Sequence, residues 1–235
     1  FKRLLKISLF NILYTSEILF TLSLNSSMTP LDIPGYVNEA HLEDLAKTID
    51  AIPDHANILE IGCAYGRSTW CTLTHMKPTH TLTVVDTFAH LKPKKLLKGM
   101  RKASQRGAYT ITAKIAENMA YLDQCNNQRQ MFDHMMSQHP NSSQLQVYQM
   151  TSKQYIAEYP NTTYDCVYID GEHTYDAVSM ELNQYKSSTI LCGDDWGPAH
   201  PGVTRAIDDF RSRHSTRTWH EPRLQLKSGF WKLIL

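Results

Sequence analysis

The spacing of apolar positions changes repeatedly along this chain, and each change marks an element. "HLEDLAKTIDAI" sets Leu42, Leu45, Ile49 and Ile52 at helical spacing. "NILEIG" (Asn57 to Gly62) is an apolar run of strand length, and "GRSTWCTLTHM" (Gly66 to Met76) reads as a helix. "HTLTVVD" (His80 to Asp86) is a second strand. A basic stretch from Phe88 to Gly107 reads as a loop, and Ile115 to Ser137 as one long polar helix. Strand and helix then alternate three more times, through "LQVYQM" and "SKQYIAEY", "YDCVYID" and "YDAVSMELNQY", "STILCGDD" and "GVTRAIDDFRSRH". "TRTWHE" and "GFWKLIL" close the chain as a hairpin.

This order predicts an α/β fold. The expectation is a Rossmann-like, doubly wound, mostly parallel seven-stranded sheet with a C-terminal antiparallel hairpin. Such sheets bind ligands outside the carboxyl ends of their strands, where the strand order reverses. Residues 28–235 read as one domain with a basic loop and helix insertion at about 88–143. Residues 1–27 read as an N-terminal extension. Its basic start and apolar body are interrupted by Lys6, Asn11, Ser16 and Glu17. A membrane span needs about 20 mostly apolar residues. A disordered or artefactual extension, a packed helix and a targeting segment therefore compete, and no stable membrane insertion is expected.

Bulk composition narrows the partners. Lys and Arg number 24 against 23 Asp and Glu, so no electrostatic footprint for nucleic acid is expected. Five cysteines (Cys63, Cys71, Cys125, Cys166, Cys192) form no C-x-x-C pair. They read as small core residues in a reducing, cytoplasmic setting. Asn25, Asn141 and Asn161 begin glycosylation sequons, which by themselves do not indicate secretion.

Chemistry is concentrated at the strand ends. "LEIGCAYGRST" holds Gly62 and Gly66 between a strand and a helix, where a tight turn and a close backbone approach to a ligand are needed. Asp86 ends the next strand about 20 residues on, where an acid accepts the hydroxyls of an adenosine ribose. Asp170 ends the fourth strand, and Asp194 and Asp195 end the fifth. If those strands are neighbours, their ends lie about 5 Å apart. Three carboxylates so close repel unless protonated or bridged by a cation, and an all-oxygen set suits Mg²⁺, Mn²⁺ or Ca²⁺. His173 follows in the turn, placed to take a proton from a hydroxyl. Blander roles compete: Asp170 as a helix cap, Asp194 as a turn residue, His173 as a surface histidine, Trp196 as packing. Glu172, Asp208 and Asp209 read as solvent-facing.

"VYIDGEHTYDAVSMEL" and "ILCGDDW…PGVTRAIDDF" resemble the class I S-adenosylmethionine (SAM) methyltransferases close to the macrocin and sugar O-methyltransferases. The resemblance runs from about Ile58 to Phe210 and is poor from Phe88 to about Leu145. It implies SAM held by Glu60, Gly62, Tyr65, Gly66, Ser68, Asp86, Thr87, Ser152 and Asp170. It implies a divalent metal, Mg²⁺ in the first instance, on Asp170, Asp194 and Asp195, with His173 or Asp170 as the catalytic base. The implied reaction is metal-assisted O-methylation of a sugar, other small molecule or glycan, by a chain that could form homo-oligomers. A metal-dependent nucleotide-sugar transferase, a nicotinamide dehydrogenase and a non-catalytic cofactor-binding module are the alternatives. The dehydrogenase would call for G-x-G-x-x-G, which is absent. The basic stretch (Lys92, Lys94, Lys95, Lys98, Arg101, Lys102, Arg106) reads as a solvated loop or as a lid over an acidic acceptor.

Overall fold

The computed structural model describes residues 28–89, 93–105, 111–125, 127–223 and 228–235. The N-terminal extension, Lys92 and Arg106 lie outside them. The strands are β1 (Asn57–Ile61), β2 (Thr81–Asp86), β3 (Leu145–Gln149), β4 (Cys166–Ile169), β5 (Ile190–Gly193), β6 (Thr218–His220) and β7 (Trp231–Ile234). The helices are α1 (Glu39–Asp50), α2 (Arg67–His75), α3 (Pro93–Gln105), α4 (Ala113–Gln124), α5 (Gln128–Ser137), α6 (Ser152–Glu158), α7 (Tyr175–Gln184) and α8 (Pro201–Arg213). One sheet holds all seven strands in the order β3-β2-β1-β4-β5-β7-β6. β1 to β5 are parallel, and β7 runs antiparallel to both β5 and β6. The expected sheet is therefore present, with its order reversing between β1 and β4.

Side-chain alternation along the central strands decides what each face receives. Ile58 of β1 and Cys166 and Tyr168 of β4 join the core under α1 and α2, with Leu45, Ile49, Trp70 and Leu73. Leu59 and Ile61, with Val167 and Ile169, join the opposite core, with Leu182, Ile207, Phe210 and Trp231. Glu60 lies between Leu59 and Ile61, so it points to the α1/α2 side with Tyr168. Local sequence sets the helix starts. Asn38 accepts from His41 N at 3.0 Å, Thr174 accepts from Ala177 N at 3.3 Å, and Thr151 forms a reciprocal capping box with Gln154.

Two expectations are corrected in the insertion. The basic stretch is helical over Pro93–Gln105. Leu97 and Met100, three residues apart, are buried in the core cluster that also holds Ile115, Met119 and Leu122. The run of lysines around them masked an amphipathic pattern. The long polar helix is two, because the Asn127 side chain caps a new helix by accepting from Gln130 N at 2.9 Å. The hairpin strands are present but shorter than their apolar runs.

Glu181 on α7 is fully buried, and neither carboxylate oxygen has a hydrogen-bond partner of good geometry. Burial pushes its carboxyl from the ordinary 4.5 up to about 7, with nearby Ser152 opposing. Between those values the unfolded chain has released a proton that the folded chain retains, so stability falls as pH rises. Glu181→Gln should stabilise the protein by about 1–3 kcal/mol at pH near 8 and by much less near pH 5. Urea unfolding at the two pH values measures this; an equal effect at both would contradict it.

Candidate active site

The site begins where β1 stops. Gly62 takes φ +83°, and its N–H donates to Val85 O at 2.9 Å. A Cβ there would lie 2.2 Å from Asp170 O, so the first loop presses directly on the end of β4. Gly66, at φ +96°, opens α2, and a Cβ there would lie 2.5 Å from Met136 Cε on α5. Both glycines thus satisfy protein packing as well as the turn. Asp86 fixes the loop between them. Its Oδ2 accepts from Cys63 N at 2.9 Å and Ala64 N at 3.1 Å, and its Oδ1 from Phe88 N at 2.6 Å. Glu60, beneath the loop, accepts from Ser68 Oγ and from Thr69 Oγ1 at 2.7 Å. Burial pushes the Glu60 carboxyl up to about 7 against those two hydrogen bonds.

The second half comes from β4 and β5, which are neighbours. Asp170 N donates to Ile61 O at 2.8 Å, and Asp194 N to Ile169 O at 3.2 Å, so the acids leave adjacent strands in step. A buried polar chain joins them from behind. Tyr168 Oη donates to Asp170 Oδ2 at 3.1 Å and lies 2.8 Å from His41 Nε2. His41 Nδ1 lies 3.3 Å from Asp194 Oδ1, a close polar contact rather than an aligned hydrogen bond. Burial raises the Asp170 carboxyl well above the usual range, and the charges of Asp194 and Asp195 raise it further. Burial pushes Asp194 the same way, but the His41 ring and the Asp195 N–H overcome it and hold this carboxyl below its ordinary value. Asp195, at φ +67°, turns the other way and meets two imidazoles. His173 Nε2 is 2.8 Å from its Oδ2, and His200 Nε2 is 3.3 Å from its Oδ1. The hydrogen bond that His173 donates to Asp195 raises the His173 pKa, against burial.

These elements enclose a cavity of about 560 Å³ at the carboxyl ends of the strands. Of the residues read from sequence, Gly62, Tyr65, Ser68, Asp86, Asp170, His173, Asp194 and Asp195 line it. Glu60, Gly66, Thr87 and Ser152 do not. Thr87 Oγ1 is buried without a partner, and Ser152 sits at the start of α6 beside Glu181. The three expected metal carboxylates share one sheet edge, but their oxygens do not converge on one point. Among the described residues, His173, Asp195 and His200 form the group whose ligand atoms all lie within 4.8 Å of one another.

Sequence reading missed several contributors. Arg67 is buried and donates from Nε to Ile33 O at 2.8 Å and from Nη1 to Val37 O at 2.6 Å, holding the segment 34–37 as a cavity wall. Gln128 Nε2 donates to Ala64 O at 3.0 Å from α5. Neither pairing has a local signature. His200 had one, since it lies five residues after Asp195 in the same turn.

A doubly wound sheet with a glycine turn after β1, an acid ending β2 and a cavity over the switch point is the arrangement expected of a class I SAM-dependent methyltransferase. The chain matches the methyltransferase domain family over residues 59–195, more than half its length, and belongs to that family. Its fold is similar to the O-methyltransferase from Bacillus cereus in complex with SAH (12% identity, TM-score 0.55, covering 94% of this chain and 96% of that one). It is also similar to the O-methyltransferase TomG from Streptomyces achromogenes, involved in tomaymycin synthesis and determined with SAM (14% identity, TM-score 0.53, 94% and 95% covered). A Klebsiella pneumoniae protein assigned as an O-methyltransferase has TM-score 0.57 at 13% identity, with 93% and 94% covered. No curated protein matches the chain at a significant level. No helix among the described residues is long and apolar enough to cross a membrane.

Gly62→Ala should be severe, because the added methyl meets the Asp170 carbonyl and φ is positive. We expect a loss of about 2–4 kcal/mol, read as a lower urea midpoint. A midpoint equal to the parent's would show that the β1 loop can move off β4.

Proposed function

We propose that this enzyme transfers the SAM methyl group to a hydroxyl oxygen of a sugar or other small molecule. One observation carries the reading: the glycine loop, Asp86 and the acids of β4 and β5 open into the same cavity, which is of small-molecule size. SAM would lie along the loop, with the ribose toward Asp86 and the methionine part toward Gly62 and Tyr65. Asp86 already uses three of its lone pairs on backbone N–H groups, so a ribose would have to share Oδ1 or displace one of them. The acceptor would enter beside Trp196 and Tyr36, both of which line the cavity; Tyr36 is 70% exposed. Aromatic rings at the mouth suit the apolar face of a sugar or a phenol.

In the transfer the acceptor oxygen attacks the methyl carbon. The carbon–sulfur bond breaks, its electron pair stays on sulfur as S-adenosylhomocysteine (SAH), and the hydroxyl proton passes to a base. Asp170 and His173 both face the cavity. Asp170 is the stronger base than an ordinary carboxylate because burial and two neighbouring acids raise its pKa. A divalent cation beside the oxygen would lower the hydroxyl pKa. On the three predicted carboxylates such an ion would compete with contacts already made. Asp170 Oδ2 and Asp194 Oδ1 are engaged by Tyr168, His41 and backbone, and Asp195 faces two histidines.

Incubation with methyl-labelled SAM and a panel of glycosides and phenols should give a labelled ether and SAH. Asp170→Asn should lower the rate by about 100-fold and remove the acidic limb of the pH–rate profile, while SAH binding persists. Label transfer to nitrogen acceptors alone, or turnover only with nucleotide-sugars, would overturn the proposal.

A further inference from the structure

Asp195 is the one predicted metal carboxylate whose two oxygens both meet ligand-capable nitrogens. We propose that His173, Asp195 and His200 form a divalent-metal site selective for borderline ions of the zinc and cobalt class over Mg²⁺.

Two loops, one after β4 and one after β5, build this group. His173 follows β4, Asp195 follows β5, and His200 precedes α8. The loop after Asp195 is clasped by Thr204, whose Oγ1 accepts from Gly197 N at 2.8 Å and donates to Gly197 O at 2.9 Å. The first turn of α8 lies against the other loop: a Cβ on Gly202 would fall 2.6 Å from His173 O and 3.0 Å from Tyr175 N. Gly229 backs the acid turn, since a Cβ there would fall 2.8 Å from Asp195 N. These contacts bring the two imidazole rings to 4.5 Å between centroids, nearly perpendicular, on either side of one carboxylate.

The donor chemistry selects the ion. Two imidazoles and a carboxylate match zinc, cobalt and related ions, whereas Mg²⁺ favours oxygen ligands. In a tetrahedral zinc site with bonds of about 2.0–2.1 Å, ligand atoms lie about 3.3 Å apart. His173 Nε2 lies 2.8 Å from Asp195 Oδ2 and His200 Nε2 lies 3.3 Å from Oδ1, and with one ligand atom per residue all three atoms lie within 4.8 Å of one another. Three protein ligands leave a fourth position for water or an acceptor oxygen. The three side chains are only 43%, 22% and 35% exposed, and all line the cavity. An ion held there would stand beside the acceptor. That task rests on the proposed function, but binding itself does not and can be measured without SAM.

The full chain, stripped with chelator, is titrated calorimetrically with Zn²⁺ and separately with Mg²⁺, and its Co²⁺ complex is followed by visible absorption. We expect one Zn²⁺ per chain, weaker Mg²⁺ binding and a Co²⁺ spectrum showing nitrogen ligation. His173→Ala and His200→Ala should each weaken Zn²⁺ binding by about tenfold or more, and Asp170→Asn should leave it unchanged. The histidines are partly exposed, so their loss should spare the fold; the Co²⁺ spectrum of the parent chain needs no variant. Absence of Zn²⁺ binding, tighter Mg²⁺ binding, binding retained in the double histidine variant, or loss through Asp170→Asn alone would each overturn the site. SAH titration of the same sample reads the cofactor reading separately.

Discussion

The structure depends on the seam between β1 and β4. The two strands lie side by side in parallel, and the chain leaves them toward loops that share one edge. At that edge the backbone of Gly62 touches the backbone carbonyl of Asp170, with no room for a Cβ between them. This contact places the cofactor loop and the acid cluster in a single cavity. A sheet of the same strands with a wider seam would keep its cores on both faces but separate the two halves of the site.

Keeping acids at a buried sheet edge requires partners, and the fold supplies each differently. Glu60 is held by two hydroxyls from α2. Asp86 is held by three backbone N–H groups. Asp170 and Asp194 are linked through Tyr168 and His41, a chain that runs from the sheet into α1. Neighbouring carboxyls are thereby driven apart in acidity, Asp170 upward and Asp194 downward. One of the pair is suited to accept a proton and the other to remain an anion.

Much of this was legible in the sequence because it depends on short-range pattern. The strands announce themselves by apolar runs, and Gly62, Asp86, Asp170, Asp194 and Asp195 stand where those runs stop. What was hidden depends on pairs distant in sequence. His41 meets Tyr168 across 127 positions, and Arg67 reaches back 34 to Ile33. Nothing local to "HLEDLAKTIDAI" marks His41 as a partner of the site. Helix α3 was hidden for another reason, since its lysines outweigh the buried Leu97 and Met100 beneath them. Glu60 was read as organising the loop, and it accepts from Ser68 and Thr69 at the start of α2. Gly66, Thr87 and Ser152 lie outside the lining of the cavity, and strand alternation sets Glu60 beneath the loop.

The central claim is that the cavity over the β1/β4 seam is the SAM site. Calorimetric titration of the chain with SAH tests it most directly. The account predicts one site of micromolar affinity, worth about −8 kcal/mol, abolished when Asp86→Ala releases the Cys63 and Ala64 amides. Absence of SAH binding alongside clear binding of a nucleoside diphosphate would contradict it.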